Sequence, residues 1–154
     1  MKRTEVPPEI LARLRPVCLA LPQAREEAAW VGTRWRIRQQ TFAHVLCVAS
    51  GWPPAYAQAL GADGPACVLT FRSPLPAFDA FAYTWAPFFR PVWFPDIVGM
   101  TLDKDTDWDE VAGLLRASYR HLAPKKLAAR LDAADRDDDG SAAAPAPSAR
   151  TTRR

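Results

Sequence analysis

Two histidines are the residues of this chain best suited to acid–base chemistry near neutral pH. His44 lies inside a β-branched, apolar stretch, and His121 lies late in a stretch with helical periodicity. Neither has a cysteine or a second histidine at metal-ligand spacing, and no nucleophile–base pair can be recognised. Phosphate-binding and dinucleotide-binding glycine motifs are also absent from the sequence. We therefore predict no catalytic site, no metal site and no cofactor, and we interpret both histidines as structural.

A run of alternating acids resembles a calcium-binding loop and consists of Asp103, Asp105, Asp107, Asp109 and Glu110. The glycine that such a loop needs at its sixth position is replaced by Trp108. Acids at the start of a helix also interact favourably with the helix dipole without any ligand. We interpret this run as the beginning of a helix.

Two stretches lack acidic residues, 28–62 and 111–131. The first contains Arg34, Arg36 and Arg38, which strand alternation places on one face. The second accumulates cations in and after a long helix: Arg116, Arg120, Lys125, Lys126 and Arg130. If the two stretches adjoin, they form one positive surface suited to the phosphates of double-stranded DNA. The alternative is a solvated strand face together with cations that favour a helix C-terminus.

Aromatic residues are frequent in the proline-rich loops: Trp52, Tyr56, Phe88, Phe89, Trp93 and Phe94. They could stack on bases, line a small-molecule pocket or pack the loops onto the core. The candidate pocket residues are Trp52, Phe88, Phe89 and Trp93. Four other rings are predicted to lie in the core: Trp30, Trp35, Phe42 and Phe71.

Hydrophobic periodicity predicts the elements that must position these residues. Helical patterns cover 8–21, interrupted at Pro16, then 73–85 and 106–122, with a helical turn at 55–60 and a short last helix ending at Leu131. Strand patterns cover 33–38, 41–49, 67–72 and 97–102, with a turn at Gln39-Gln40 and a short extended piece at 92–94. Thr106 is the expected cap of the long helix, within a Thr-x-x-Asp pattern. Hairpin-linked strands separated by helices indicate an α+β fold with an antiparallel sheet in two layers.

The 154 residues suit one domain, which we place at residues 1–131 with its folded body starting near Pro8. Residues 132–154 have alanine as their only hydrophobic residue type, so we predict a disordered tail. The tail carries four arginines and five aspartates, which leaves a net charge of +4 on the body. Cys18, Cys47 and Cys67 are predicted to be buried free thiols. No apolar run is long enough to span a membrane, and the expected location is the cytoplasm.

The body also carries an ordered set of short segments: Cys18-Leu19-Ala20-Leu21-Pro22 followed by Glu26-Glu27, Trp30, the hairpin from Arg36 to Phe42, Ala43-His44-Val45, Gly99-Met100-Thr101-Leu102-Asp103, Asp107-Trp108-Asp109-Glu110-Val111, Ser118-Tyr119-Arg120 and Ala123-Pro124-Lys125-Lys126-Leu127. Together these segments resemble the MmcQ/YjbR family. The resemblance implies a two-layer α/β sandwich of YjbR-like architecture, akin to secretion-chaperone-like and CyaY-like folds. It also implies a small bacterial cytoplasmic protein that binds DNA through a double-wing motif, with no catalytic residues to carry over.

Three binding functions follow from these observations. The leading hypothesis is weak, phosphate-directed DNA binding through Arg34, Arg36, Arg38, Arg116, Arg120, Lys125 and Lys126. The alternatives are a small-molecule or peptide-binding module with a pocket under the aromatic loops, and a chaperone-like protein-interaction domain. Enzymatic activity ranks last, and we expect a monomer.

Overall fold

The computed structural model describes residues 5–142, with side chains through residue 133. Its five helices and six strands follow in this order: α1 (Pro8–Leu19), β1 (Arg25–Ala28), β2 (Thr33–Ile37), β3 (Gln40–Val48), α2 (Pro54–Leu60), β4 (Ala66–Arg72), α3 (Leu75–Phe78), β5 (Phe88–Phe89), β6 (Ile97–Leu102), α4 (Trp108–Leu122) and α5 (Lys125–Ala142). The strands form one antiparallel sheet in the order β1-β2-β3-β4-β6-β5. The predicted α+β class with an antiparallel sheet is confirmed.

One side of the sheet, the helix face, carries the main core. Leu14 and Cys18 of α1 and Leu115 and Tyr119 of α4 are fully buried there. They pack with inward residues of the central strands: Trp35, Ala43, Val45, Leu69, Val98 and Met100. Each such apolar side chain contributes about 1.5–3 kcal/mol by leaving water, so this layer dominates the stability of the fold.

The other side of the sheet, the opposite face, is covered only in part. Leu46, Val48 and Val68 form a small buried cluster with Val31 and with Ala57 of α2. His44 of β3 pairs with Thr70 of β4, and both lie on this same face, two residues along each strand from Leu46 and Val68. The uncovered part of the face therefore carries polar side chains, and Thr70 among them is itself buried.

A β-bulge in β3 sets which side chains reach the opposite face. Trp35 pairs with Ala43, but the next residue, Arg36, pairs with Thr41, so Phe42 is the extra residue. Phe42 and Ala43 both lie in the helix-face core. Without the bulge, a strict alternation would turn Thr41 toward the helices.

The β2–β3 turn differs from the prediction. β2 ends at Ile37, and the turn is Arg38-Gln39 rather than Gln39-Gln40, with Arg38 at a φ of +58°. Two-residue hairpins favour positive φ in the turn, and the Arg38 carbonyl accepts a 2.7 Å hydrogen bond from Arg25 Nη2. Arg38 therefore does not extend the strand face that carries Arg34 and Arg36.

The segment between β4 and β6 is the part that sequence periodicity predicted least well. The predicted helix at 73–85 shortens to α3, and the extended piece expected at 92–94 is not a strand. The helix ends at its C-cap, Asp79, whose Oδ1 accepts a hydrogen bond from the Phe81 amide at 2.9 Å. Of the predicted apolar face, Ala82 is buried, whereas three residues are exposed: Leu75, Phe78 and Trp85.

The long helix α4 begins one residue later than predicted. Asp107 is the N-cap, and its Oδ1 accepts from the amides of Asp109 and Glu110 at 3.1 and 3.2 Å. The Thr106 hydroxyl accepts instead from the Asp103 amide at 2.8 Å. These contacts explain part of the acidic run as helix capping.

Two other helices differ from expectation. α1 continues through Pro16 without splitting, and α5 continues past Leu131 to Ala142, into the predicted tail. A helix already anchored by buried Leu127 and Leu131 propagates at low cost. The rest of the predicted tail, residues 143–154, lies outside the described residues. Within the described part, no helix is long and apolar enough to cross a membrane.

Candidate functional site

A pocket of about 330 Å³ opens on the opposite face of the sheet. Its floor is formed by polar side chains of three adjacent strands: Arg34, Thr41, His44, Thr70 and Arg72. Its walls are aromatic side chains from outside these strands: Trp30, Tyr56, Trp93 and Phe94. The sheet thus supplies charge and hydroxyl groups, and the loops and α2 supply flat apolar surface.

His44 is held at both ring nitrogens. Its Nε2 lies 2.7 Å from the Val31 carbonyl, which can only accept, so Nε2 carries the proton and donates. The Tyr56 hydroxyl lies 3.2 Å from Nδ1 and donates to it. Burial lowers the pKa of His44, and the nearby Arg34 charge adds to this effect, although the bond to Val31 opposes it. His44 is therefore a neutral group that fixes Tyr56.

Tyr56 connects the sheet to the pocket wall. Its ring stands edge-on to His44 at 5.9 Å and to Trp93 at 4.8 Å between ring centroids. Burial raises the pKa of Tyr56, so its hydroxyl stays protonated and able to donate. The three rings form a continuous column from the floor to the rim of the pocket.

Glu27 on β1 gathers three arginines at one end of the pocket. Arg34 donates to its Oε1 from Nε at 3.1 Å and from Nη2 at 2.9 Å. Arg25 donates to Oε2 at 3.1 Å, and Arg36 Nη1 lies 3.7 Å from Oε1. The hydrogen bonds from Arg25 and Arg34 lower the pKa of Glu27, so the carboxylate remains ionised. The Glu27 carboxylate thus forms ion pairs with three arginines.

Arg72 on β4 lies across the floor from Arg34 in the strand order. Its Nη1 donates to Asp96 Oδ1 at 2.8 Å, and its guanidinium stacks over the Phe94 ring at 5.3 Å. Asp96 Oδ2 also contacts Nε2 of His121 at 3.2 Å. His121 therefore buttresses the arginine from the end of α4.

This arrangement presents hydrogen-bond donors beside flat aromatic rings. Both ring nitrogens of His44 form hydrogen bonds within the protein. The hydroxyl groups that line the pocket belong to threonines and to Tyr56. No group of three or more histidine, cysteine or acidic side chains in the described part of the chain could hold a metal ion. Arginine and threonine donors beside flat rings are the groups that hold an organic anion.

Family models, curated proteins and solved structures give no match to this chain. The residues of the pocket are therefore the basis for assigning a function.

The cations predicted to bind DNA lie on two sides of the sheet. Arg34 lines the pocket on the opposite face, with Arg36 beside it through Glu27, whereas α4 and α5 carry the other cations on the helix face. Arg38 belongs with the second group, because it lies near Tyr119 of α4, as Arg130 does. Burial raises the pKa of Tyr119, and the charges of Arg130 and Arg38 both oppose this effect. Arg120 pairs with Asp132 at 2.8 Å. Arg34 and Arg36 are therefore separated from the cations of α4 and α5, whereas Arg38, also of the first stretch, lies near Arg130 of the second.

Of the four aromatic residues proposed for a pocket, Trp93 lines this one. Trp52 packs against Trp30 at 5.4 Å, Phe88 is buried, and the Phe89 ring covers Gly99. Trp30 was predicted to lie in the core but is 69% exposed at the pocket wall. Sequence analysis missed Arg72 and Thr70 as site residues, although polar residues alternating within apolar strands are a usable signal. Tyr56 was named among the loop aromatic residues but was left out of the candidate pocket.

Proposed function

We propose that this protein binds a small organic anion that combines a carboxylate or similar acidic group with a flat apolar body. The observation that carries this proposal is the pair of arginines, Arg34 and Arg72, on the floor of an aromatic-walled pocket. Arginine presents planar paired donors to carboxylates, and aromatic walls stack on flat ligands.

The local charge favours an anion. Four arginines and two carboxylates take part in the ion pairs of the pocket: Arg25, Arg34, Arg36, Arg72, Glu27 and Asp96. This excess of positive charge comes from the arginines, because His44 is neutral and adds none. Each guanidinium has five N–H donors, and only some of those on Arg34 and Arg72 are used by the acids. Donors therefore remain for a ligand.

The size of the pocket limits the ligand. A volume of about 330 Å³ is near the lower end of typical small-molecule sites, which begin at about 300 Å³. A bicyclic aromatic acid matches this volume and the spacing of charged floor and apolar walls. 2-Naphthoate is a suitable probe because its ring system is flat and its carboxylate is ionised at neutral pH.

Calorimetric titration of 2-naphthoate into the full chain tests the proposal. We expect Arg72→Met to weaken binding about tenfold or more, since a hydrogen bond to a charged group contributes about 1.5–3 kcal/mol. The control is Lys126→Met, which removes one exposed positive charge on the helix side and should leave the affinity unchanged. Equal weakening by both variants, or no binding by a wild-type chain with a normal unfolding transition, would refute the proposal.

DNA binding is a second candidate, supported by cations on the helix side. Lys125, Lys126 and Arg130 are exposed on α5, and Arg38 lies near Arg130 through Tyr119. Arg34 and Arg36 are not part of this group of cations. The resemblance to the MmcQ/YjbR family, with its YjbR-like architecture, supports DNA binding, and the phosphate contacts would lie on α5 and on the β2–β3 turn.

Fluorescence anisotropy with a labelled duplex at several salt concentrations tests this second candidate. The double variant Lys125→Glu with Lys126→Glu should make the plot of log affinity against log salt concentration less steep by about two units. Each phosphate contact contributes about 0.9 to the steepness of this plot. Arg34→Glu with Arg36→Glu is the matched double charge reversal on the other face and should change the slope little. Absence of binding at low salt, or a larger effect of the second pair, would exclude DNA contact through the helix side.

A further inference from the structure

Cys47 and Cys67 face each other across the two central strands. They are direct partners in the β3–β4 register, and their sulfur atoms are 2.7 Å apart. Directly opposed residues of antiparallel strands have Cα atoms about 4.5–5.5 Å apart, within the range that a disulfide accepts. We propose that these cysteines are a redox-active pair that closes reversibly to an intramolecular disulfide by exchange with a low-molecular-weight disulfide of the glutathione type.

The two thiols are chemically unequal. Hydrogen bonding from Cys47 lowers the pKa of Cys67, although burial and the charge of Glu9 oppose the effect. The same interaction, together with burial, raises the pKa of Cys47, whose sulfur also lies 3.5 Å from the Glu5 carbonyl. Cys67 is also the more accessible of the two, since it is half-buried whereas Cys47 is only 6% exposed. A reagent therefore reaches Cys67 first, so Cys67 is the attacking sulfur and Cys47 the resolving one.

A second cavity gives reagents access to the pair. This cavity of about 320 Å³ is lined by both cysteines and by Glu5, Pro7, Pro65 and Ala66 among others. Cys67 is half-buried rather than enclosed. None of the residues that line this cavity also lines the anion pocket, so the redox proposal does not depend on the proposed function.

The exchange conserves atoms and electrons in two steps. The Cys67 thiolate attacks one sulfur of glutathione disulfide, which breaks that S–S bond, forms a mixed disulfide and releases one glutathione thiolate. Cys47 transfers its proton to solvent and attacks the Cys67 sulfur, which expels the second glutathione thiolate. Two protein thiols are oxidised and one disulfide is reduced to two thiols, and excess glutathione drives the reverse reaction.

Cys18 is an internal control for thiol reactivity. It is fully buried in the helix-face core, and burial together with the charge of Glu26 raises its pKa. A buried thiol of raised pKa is a poor nucleophile. Oxidation of the native fold should therefore leave Cys18 as a thiol.

The experiment equilibrates the full chain with oxidised or reduced glutathione, followed by denaturation, alkylation with N-ethylmaleimide and intact-mass analysis. In the oxidised buffer we expect the chain to accept one alkyl group instead of three and to lose two hydrogens, and excess reduced glutathione should restore all three sites. Cys18→Ser should lose the same two sites. Cys47→Ser should stop at a glutathione adduct on Cys67, whereas Cys67→Ser should react far more slowly.

Three outcomes would overturn the proposal. The first is full alkylation of all three thiols after the oxidised buffer, and the second is a bridge that includes Cys18. The third is equal adduct formation on Cys47→Ser and Cys67→Ser, which would contradict the assigned roles. Near-native far-ultraviolet circular dichroism of each serine variant shows that the fold is retained during the measurement.

Discussion

Replacing Gly32 with valine is expected to destabilise the fold by at least about 3 kcal/mol and to remove the pocket wall. Gly32 has a φ of +77°, which β-branched residues rarely adopt, and a Cβ there would lie 2.0 Å from the Val45 carbonyl oxygen. The other obstructing atoms are Cα and Cβ of Leu46, which are fixed by the β3 backbone and cannot rotate aside. The strain and the clash therefore add.

The turn formed by this glycine also positions two site residues. The Gly32 carbonyl accepts a 3.0 Å hydrogen bond from the Ala29 amide, which closes the turn around Trp30 and Val31. Val31 provides the carbonyl for His44, and Trp30 forms a wall of the pocket. A displaced turn should therefore weaken 2-naphthoate binding even in molecules that remain folded.

Gly61→Val is the matched control. Gly61 has a similar φ of +79°, but nothing lies within 4 Å of a Cβ built there. The Gly61→Val variant should lose only about 1–2 kcal/mol of unfolding free energy, which is the cost of holding a non-glycine residue in the left-handed conformation. Urea denaturation followed by circular dichroism measures both variants. Equal losses of unfolding free energy would show that the close approach of Gly32 to β3 is not important.

Ser118→Val is expected to cost about 2–5 kcal/mol, since it leaves two backbone groups without partners at a fully buried position. The Ser118 hydroxyl donates to the Phe42 carbonyl at 2.6 Å and accepts from the Arg72 amide at 2.8 Å. Valine can do neither, and its second γ-carbon adds volume at this buried position. The lost hydrogen bonds and the added volume should therefore both destabilise the variant.

The same hydroxyl links α4 to the bulge that shapes the pocket. Phe42 is the extra residue of β3, and Arg72 is the pocket arginine at the end of β4. We therefore expect weaker 2-naphthoate binding in Ser118→Val under conditions where the variant is still folded. Ala117→Val, at the exposed neighbouring position, controls for a β-branched residue in the helix and should cost under about 1 kcal/mol. Equal destabilisation at positions 117 and 118 would contradict the assigned role of the hydroxyl.

Much of the fold could be predicted because its central elements carry clear periodicity. β2, β3, β4 and β6 were each placed to within about one residue, as was the long helix α4. β1 was missed because its sequence, Arg-Glu-Glu-Ala, is unlike a strand, and Glu26 and Glu27 face neighbouring strand and helix arginines instead of a core. β5 has two residues, too few for any pattern.

The candidate site was less predictable for three physical reasons. The bulge at Phe42 reverses the alternation of β3, so the face of Thr41 cannot be read from sequence spacing. Glu27 lies outside the acid-free stretch in sequence, but it pairs with Arg34 and approaches Arg36 in the fold. A count of charges along the chain therefore overstated the positive charge around these two arginines. Trp30 depends on the turn at Gly32, and the position of a loop follows from tertiary contacts rather than periodicity.

The most direct test of the central claim compares two ligands of equal shape at the same pocket. Calorimetric titration of the wild-type chain with 2-naphthoate and with neutral 2-naphthamide isolates the contribution of the anionic group. We predict saturable 1:1 binding in which the carboxylate binds at least about tenfold more tightly than the amide. Equal affinities, or tighter binding of the amide, would contradict an anion site built on Arg34 and Arg72.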